Sequence, residues 1–190
     1  GRPLVLTQVC ELADGVILGF YPGPRGGQAI AEVISGRVAP SGRLPVSLPR
    51  STGQVPVYYN YKNSYRAMTY MDEEVGPLFP FGYGLGYGTF EWGTCSLSTE
   101  RCNVAALENK GLTISFSVKN TSERGGYIVP QIYVTDVAAS TVRRVKELKA
   151  FQKVWLDAGQ ERNVSLQLGK EAFCLWNQKM KYVAEPGVFR

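Results

Sequence analysis

Residues 113–118 (TISFSV) alternate apolar and polar positions one by one, the period of a strand with one face buried and one in water. Similar short stretches return at 127–136, 148–156, 164–168 and 180–183, separated by turn-forming residues at 120–126, 157–159 and 185–187. Pro130 interrupts the second of these stretches. Proline lacks the N–H that a ladder uses, so that strand lies at an edge or carries a bulge. About a hundred residues patterned this way predict an antiparallel sandwich of the immunoglobulin or fibronectin kind.

The first half reads differently. Residues 3–9 (PLVLTQV) and 16–21 (VILGFY) are short, nearly continuous apolar runs, the pattern of parallel strands buried on both faces. Residues 11–14 form a turn or one helical turn between them. After the turn-forming stretch 22–27 (PGPRGG), Ile30, Val33 and Ile34 fall at helical spacing, and Gly36 stands where a C-terminal cap belongs. Strand, glycine-rich turn and helix make one α/β unit. Residues 39–48 predict a turn leading into a short strand. The glycine-rich turn lacks the lysine and Ser/Thr of a phosphate-binding loop, which leaves it a structural turn.

Between the halves lies 77–90 (PLFPFGYGLGYGTF), with glycines at 82, 84, 86 and 88 and Tyr83, Leu85 and Tyr87 between them. Such a strip lets backbone lie close to a neighbouring surface while the larger side chains pack on the other side. A dinucleotide fingerprint would need glycine at position 87, where tyrosine stands. The predicted domains are therefore 1–76, a linking and docking strip at 77–90, and an all-β domain at 91–190.

At 190 residues the chain can hold two small cores, and 44% hydrophobic with 12% aromatic residues is the composition of a folded protein. No apolar run is long enough to span a bilayer, so no membrane association is expected. The net charge of +5 raises the question of nucleic acid. Its densest basic stretch, Arg143, Arg144, Lys146, Lys149 and Lys153, divides between two strand faces, and no nucleic-acid-binding motif accompanies it. A solvated strand is the expectation, with no nucleic-acid partner. The chain has no histidine, which removes the commonest general base and most zinc sites; no metal and no cofactor are expected. Of the four cysteines, Cys95 and Cys102 could bridge a small loop, whereas Cys10 and Cys174 read as buried thiols. Asn120 and Asn163 each open a glycosylation triplet.

The segment 52–72 is irregular and rich in tyrosine. Tyr65, Arg66 and Tyr70 within it suit sugar recognition, since aromatic rings stack on sugar faces and guanidinium groups donate to hydroxyls. Contact with a protein partner, or packing between domains, would use the same composition. The acidic cluster Asp72, Glu73 and Glu74 has no apolar surroundings that would raise one pKa, and reads as exposed loop acids.

Several motifs together resemble glycoside hydrolase family 3, the β-glucosidases and β-xylosidases. They are Tyr21-Pro22-Gly23 with Gly26-Gly27, Ala29-Ile30-Ala31, Pro40-Ser41-Gly42-Arg43-Leu44-Pro45, and the stretch from Pro77 through Leu85 with Tyr87, Thr89 and Phe90. In the second half Val118, Asn120-Thr121, Gly126, Gln131, Tyr133-Val134, Lys146-Glu147-Leu148-Lys149, Phe151 and Glu185-Pro186-Gly187 are similar to that family's fibronectin-like domain. Arg25, Gly86, Gly88, Arg144 and Ala150 depart from the family's usual residues.

The resemblance implies an α/β partial sandwich domain followed by an all-β fibronectin type III-like sandwich. Both would stand behind an N-terminal barrel that carries the nucleophile. It also implies a retaining β-glycosidase acting on terminal β-D-glucosyl or β-D-xylosyl residues of a glycoside or β-linked oligosaccharide, outside the cytoplasm. A retaining mechanism needs two carboxyl groups about 5–5.5 Å apart, one ionised and one protonated. The family's acid/base glutamate falls upstream of Leu4, so no catalytic residue is expected here. Tyr65, Arg66 and Tyr70 are the expected substrate-proximal residues. The alternative is a non-catalytic module that binds carbohydrate or protein.

Overall fold

The computed structural model describes residues 2–62 and 72–190. They fall into two units: residues up to Tyr59 with 72–87, and residues 60–62 with Gly88–Arg190.

In the first unit, α1 (Thr7–Leu12) is a short helix tied down by Thr7 Oγ1, which donates to the Arg50 carbonyl at 2.8 Å. α2 (Gly26–Ile34) is the helix predicted from its spacing. It ends at Gly36, whose φ of 72° is the left-handed conformation that closes a helix and whose N–H donates to Val33 O. The apolar runs 3–9 and 16–21 form no strands. The first becomes α1 in part, and residues 15–19 have no ladder partner among the described residues. A parallel strand is held by a neighbour on each side, and without one the run stays unpaired and exposed, as Leu4, Val16, Ile17 and Leu18 are.

The predicted short strand near residue 48 reduces to a single bridge, Leu48 with Phe79. Around it two segments run back to back. Leu48 N donates to Phe79 O and Leu78 N to Leu48 O, while Leu44 N donates to Tyr83 O and Gly82 N to Leu44 O, each at 2.8 Å. Leu48 is fully buried beneath them. Phe79 stacks on Tyr83, and Phe81 on Tyr59. A Cβ at Gly84 would sit 2.4 Å from the Gly42 carbonyl oxygen, so the glycine permits the close approach of these segments. Tyr87 reaches back to donate its hydroxyl proton to Val33 O at the end of α2.

The second unit is the β-sandwich. β1 (Phe90–Leu97) leads to α3 (Val104–Lys110), then β2 (Leu112–Asn120), β3 (Gly126–Ile128), β4 (Gln131–Val134), β5 (Glu147–Phe151), β6 (Val154–Leu156), β7 (Glu161–Leu168), β8 (Cys174–Trp176) and β9 (Tyr182–Ala184). One antiparallel sheet has the order β1-β2-β7; β3 pairs with β6, β4 with β5 and β8 with β9. The alternation in β2 buries Ile114, Phe116 and Val118, and the register sets Phe116 opposite Val164 and Ile114 opposite Leu166. Phe116, Val118, Val164 and Leu166 form one core cluster with Ile128, Val154 and Leu156, while Ile114 joins a second with Leu107, Val134, Leu168 and Phe173. Each such buried side chain contributes about 1.5–3 kcal/mol relative to exposure.

Pro130 divides the predicted strand 127–136 into β3 and β4, and Gln152 and Lys153 divide 148–156 into β5 and β6 in the same way. Across the break Gln152 N donates to Pro130 O at 3.3 Å, and the register slips again between Ile132 and Tyr133. Cys174 is buried as expected, while Cys10 is half-buried. Cys95 and Cys102 are free and exposed.

Candidate functional site

The basic stretch is not a solvated strand. Its first residues lie on the loop between β4 and β5, and each of its cations contacts a carboxylate, a ring or a carbonyl. Arg143 Nε lies 3.4 Å from Asp136 Oδ2 and its Nη2 lies 3.3 Å from Glu147 Oε2. Lys149 pairs with the same Glu147 carboxylate. Lys146 stands over the Tyr133 ring and Lys153 over the Tyr127 ring. Arg144 Nη1 donates to Asn60 O at 2.9 Å. Only Arg143 and Lys149 have carboxylate partners; Arg144, Lys146 and Lys153 are exposed and keep their charge.

Tyr65, Arg66 and Tyr70 lie outside the described residues. The chain on either side of them is described, each side within its own unit. In the first unit Ser51 Oγ donates to Glu73 Oε2 at 2.8 Å and Arg50 pairs with Glu74 at 2.8 Å. The buried Gln54 side chain accepts from Arg50 N and donates to Gly76 O. Glu73 and Glu74 are therefore anchors to residues 50–54, with Glu74 largely exposed, consistent with loop acids. In the second unit residues 60–62 are held by the β4–β5 loop through Arg144 and through Val145 N, which donates to Tyr61 O at 2.9 Å.

Carboxyl groups whose environments push their pKa values apart mark acid/base pairs, and one such combination occurs in the second unit. Burial raises Asp136 above its ordinary range, against the pull of the Arg143 guanidinium and the Ala138 N–H. Glu185 is held below its ordinary range by the Ser140 hydroxyl and backbone N–H, both of which donate to it. Geometry decides against catalysis. The Asp136 side chain is 4% exposed and faces Arg143, so no sugar oxygen can reach it. Periodicity gives no sign of this pair, because it joins a loop to a turn some 50 residues on in sequence. A shallow depression of about 260 Å³ beside β7 carries Lys149, Gln167 and one carboxylate, Glu171, which is short of the two that glycoside transfer requires.

The two glycosylation triplets divide sharply. Asn120 is fully buried: its Nδ2 lies within hydrogen-bonding distance of the carbonyls of Arg124, Leu156 and Asp157, while its Oδ1 accepts from the N–H and hydroxyl of Ser122. It is an internal clasp. Asn163 is exposed on β7.

With the geometry in place, the resemblance can be set against known proteins. The family described as the glycosyl hydrolase family 3 C-terminal domain matches residues 1–87, and the fibronectin type III-like domain matches residues 128–190. The chain carries the C-terminal domain of glycosyl hydrolase family 3. Across its whole length it is 44% identical to a periplasmic beta-glucosidase of Salmonella typhimurium and 40% identical to a beta-xylosidase of Formosa agariphila. The crystal structure of a beta-glucosidase from Listeria innocua in complex with glucose superposes with a TM-score of 0.90 at 39% identity, covering 99% of this chain and 27% of that one. The chain spans about a quarter of the family members it matches, 26% of each of the two curated relatives. It corresponds to their C-terminal portion: the family 3 C-terminal domain followed by the fibronectin type III-like domain.

Proposed function

We propose that the chain serves as the supporting C-terminal portion of a retaining β-glycosidase that removes terminal β-D-glucosyl or β-D-xylosyl residues. Its reactive carboxyl pair is supplied from elsewhere in that enzyme. One observation carries the reading: the match to a β-glucosidase and a β-xylosidase extends across both units. The carboxylates with shifted pKa values, meanwhile, are engaged in structural pairs. An N-terminal barrel is the partner within the same enzyme. The stretch 77–90 is the hinge at which the chain passes from α/β domain to sandwich, and the Salmonella relative's name favours an extracytoplasmic setting.

Tyr65, Arg66 and Tyr70 form part of the sugar-binding wall in this reading. In the full-length enzyme, Tyr65→Ala with Arg66→Ala lowers kcat/KM on an aryl β-glucoside by about tenfold or more, the loss of a stacking face and a charged donor. Unchanged kcat/KM in that variant makes the segment a packing element instead.

A further inference from the structure

The β8–β9 hairpin carries apolar surface that belongs to neither core cluster. Trp176 and Tyr182 stand directly opposite each other across the ladder, so their rings share one face, with centroids 5.3 Å apart. Cys174 and Leu175, just before them, are buried, yet Trp176 is 61% exposed and Tyr182 46%. Met180 in the connecting turn is 76% exposed. Its φ of 55° is the left-handed conformation that glycine adopts freely, so the turn holds a large apolar side chain in water where glycine would fit better. Exposed apolar groups kept at a backbone cost mark a surface used for more than folding.

The rings are fixed before any ligand arrives. Asn177 closes the turn: its Oδ1 accepts from the N–H groups of Lys179 and Lys181 at 2.9 and 3.1 Å. Its own N–H donates to Lys181 O, and its carbonyl accepts from Met180 N. Tyr182 donates its hydroxyl proton to Glu171 O at 3.2 Å, which holds that ring in place. Aromatic groups held this way lose little conformational freedom on binding. Beside them Lys179 and Lys181 are exposed, and neither reaches a carboxylate among the described residues.

Two exposed rings with two free ammonium groups beside them suit a saccharide chain that carries negative charge. The rings pack on the apolar faces of the sugars, and the ammonium groups meet carboxylates. We propose that the β8–β9 hairpin is a binding site for an acidic β-linked polysaccharide, one bearing uronic acid groups. The site holds polymer and performs no chemistry. The choice of a β-linked polymer rests on the glycosidase reading above, whereas the aromatic and cationic character does not. A membrane surface fits less well: the apolar area is confined to one hairpin, and the bond to Glu171 O keeps the Tyr182 ring from inserting.

The test uses the full-length enzyme in affinity electrophoresis. The gels contain glucuronoxylan, a β-linked xylan with uronic acid side groups, or the same polymer after its carboxyl groups are reduced to alcohols. The parent is expected to bind the acidic polymer about fivefold more tightly than the reduced one, with the gap narrowing as salt is raised. Trp176→Ala weakens binding of both polymers about tenfold. Lys179→Gln/Lys181→Gln weakens binding of the acidic polymer about fivefold and leaves the reduced polymer unaffected. Met180→Gly, which relieves the left-handed backbone, weakens binding about threefold without lowering Tm, and so separates lost contact from a loosened hairpin. In every variant kcat/KM on an aryl β-xyloside stays within about twofold of the parent. Absence of that hydrolysis in the parent defeats the glycosidase reading, while the gels still decide the binding site. Equal binding by the parent, Trp176→Ala and Met180→Gly overturns the site, as does no binding by the parent. Equal binding of the acidic and the reduced polymer overturns the acidic class. Binding to anionic phospholipid vesicles that Trp176→Ala abolishes, with none to either polymer, overturns the proposal in favour of a membrane surface.

Discussion

Asn120→Ala lowers the unfolding free energy of the second unit by about 3 kcal/mol, the cost of leaving several buried carbonyls and an N–H without their partner. The side chain is fully buried at the end of β2, and it binds the 120–124 turn to the carbonyls of Leu156 and Asp157. Its own backbone N–H donates to Gln160 O, so one residue ties three connections of the sandwich together. Asn120→Asp is expected to be nearly as costly, since the acid lacks the amide donors and brings a charge into a dry site. The measurement is chemical denaturation followed by tryptophan fluorescence. Asn163→Ala, the corresponding change in the exposed triplet, stays within about 0.5 kcal/mol of the parent and serves as the comparison.

Arg143→Ala is expected to cost about 3 kcal/mol at neutral pH, because it strands the Asp136 carboxylate in the protein interior. The sign of its pH dependence follows from the direction of the shift. Asp136 has its carboxyl pKa raised by burial, so the folded state binds that proton more tightly than the unfolded chain does. Stability from this group is greatest below the unfolded pKa and declines as pH rises through the folded one. Removing the guanidinium takes away the largest opposing influence and extends that decline toward neutral pH. The difference between Arg143→Ala and the parent therefore shrinks as pH falls and Asp136 becomes neutral. Unfolding curves across the acid range check this. A difference that is constant with pH means that Arg143 acts by packing rather than by charge.

The sandwich was legible where one rule decided the outcome. In β2 nothing competes with strict alternation, and its buried set is the set that the pattern named. Pro130 announced an irregularity, but the separation of β3 from β4 and of β5 from β6 depends on how two bulged strands find a common register, which neither strand carries alone. α3 is marked at both ends, by Asn103, whose side chain caps Ala106 N, and by Gly111 at φ 65°. The strand rhythm around it hides a helix of only seven residues. β1 went unread because an edge strand exposed along nearly its whole length shows no alternation.

The first half was legible in its helix and not in its strands. Apolar runs at 3–9 and 16–21 have the composition of buried strands, but composition does not say which neighbour completes the ladder. The charged stretch at 143–153 failed for a related reason. Periodicity assigns faces, and it says nothing of an Asp136 or a Glu147 brought alongside by a loop. Of the candidate site, motif resemblance identified the family, whereas the seating of residues 60–62 on Arg144 and Val145 is a tertiary fact that no local pattern encodes.

The most direct measurement compares this 190-residue chain with the full-length enzyme on aryl β-D-glucoside and aryl β-D-xyloside, with each preparation purified to homogeneity. Hydrolysis by the full-length enzyme and none by the isolated chain is the expected result. Turnover by the isolated chain would contradict it, since the reactive carboxyl pair would then have to lie within these residues.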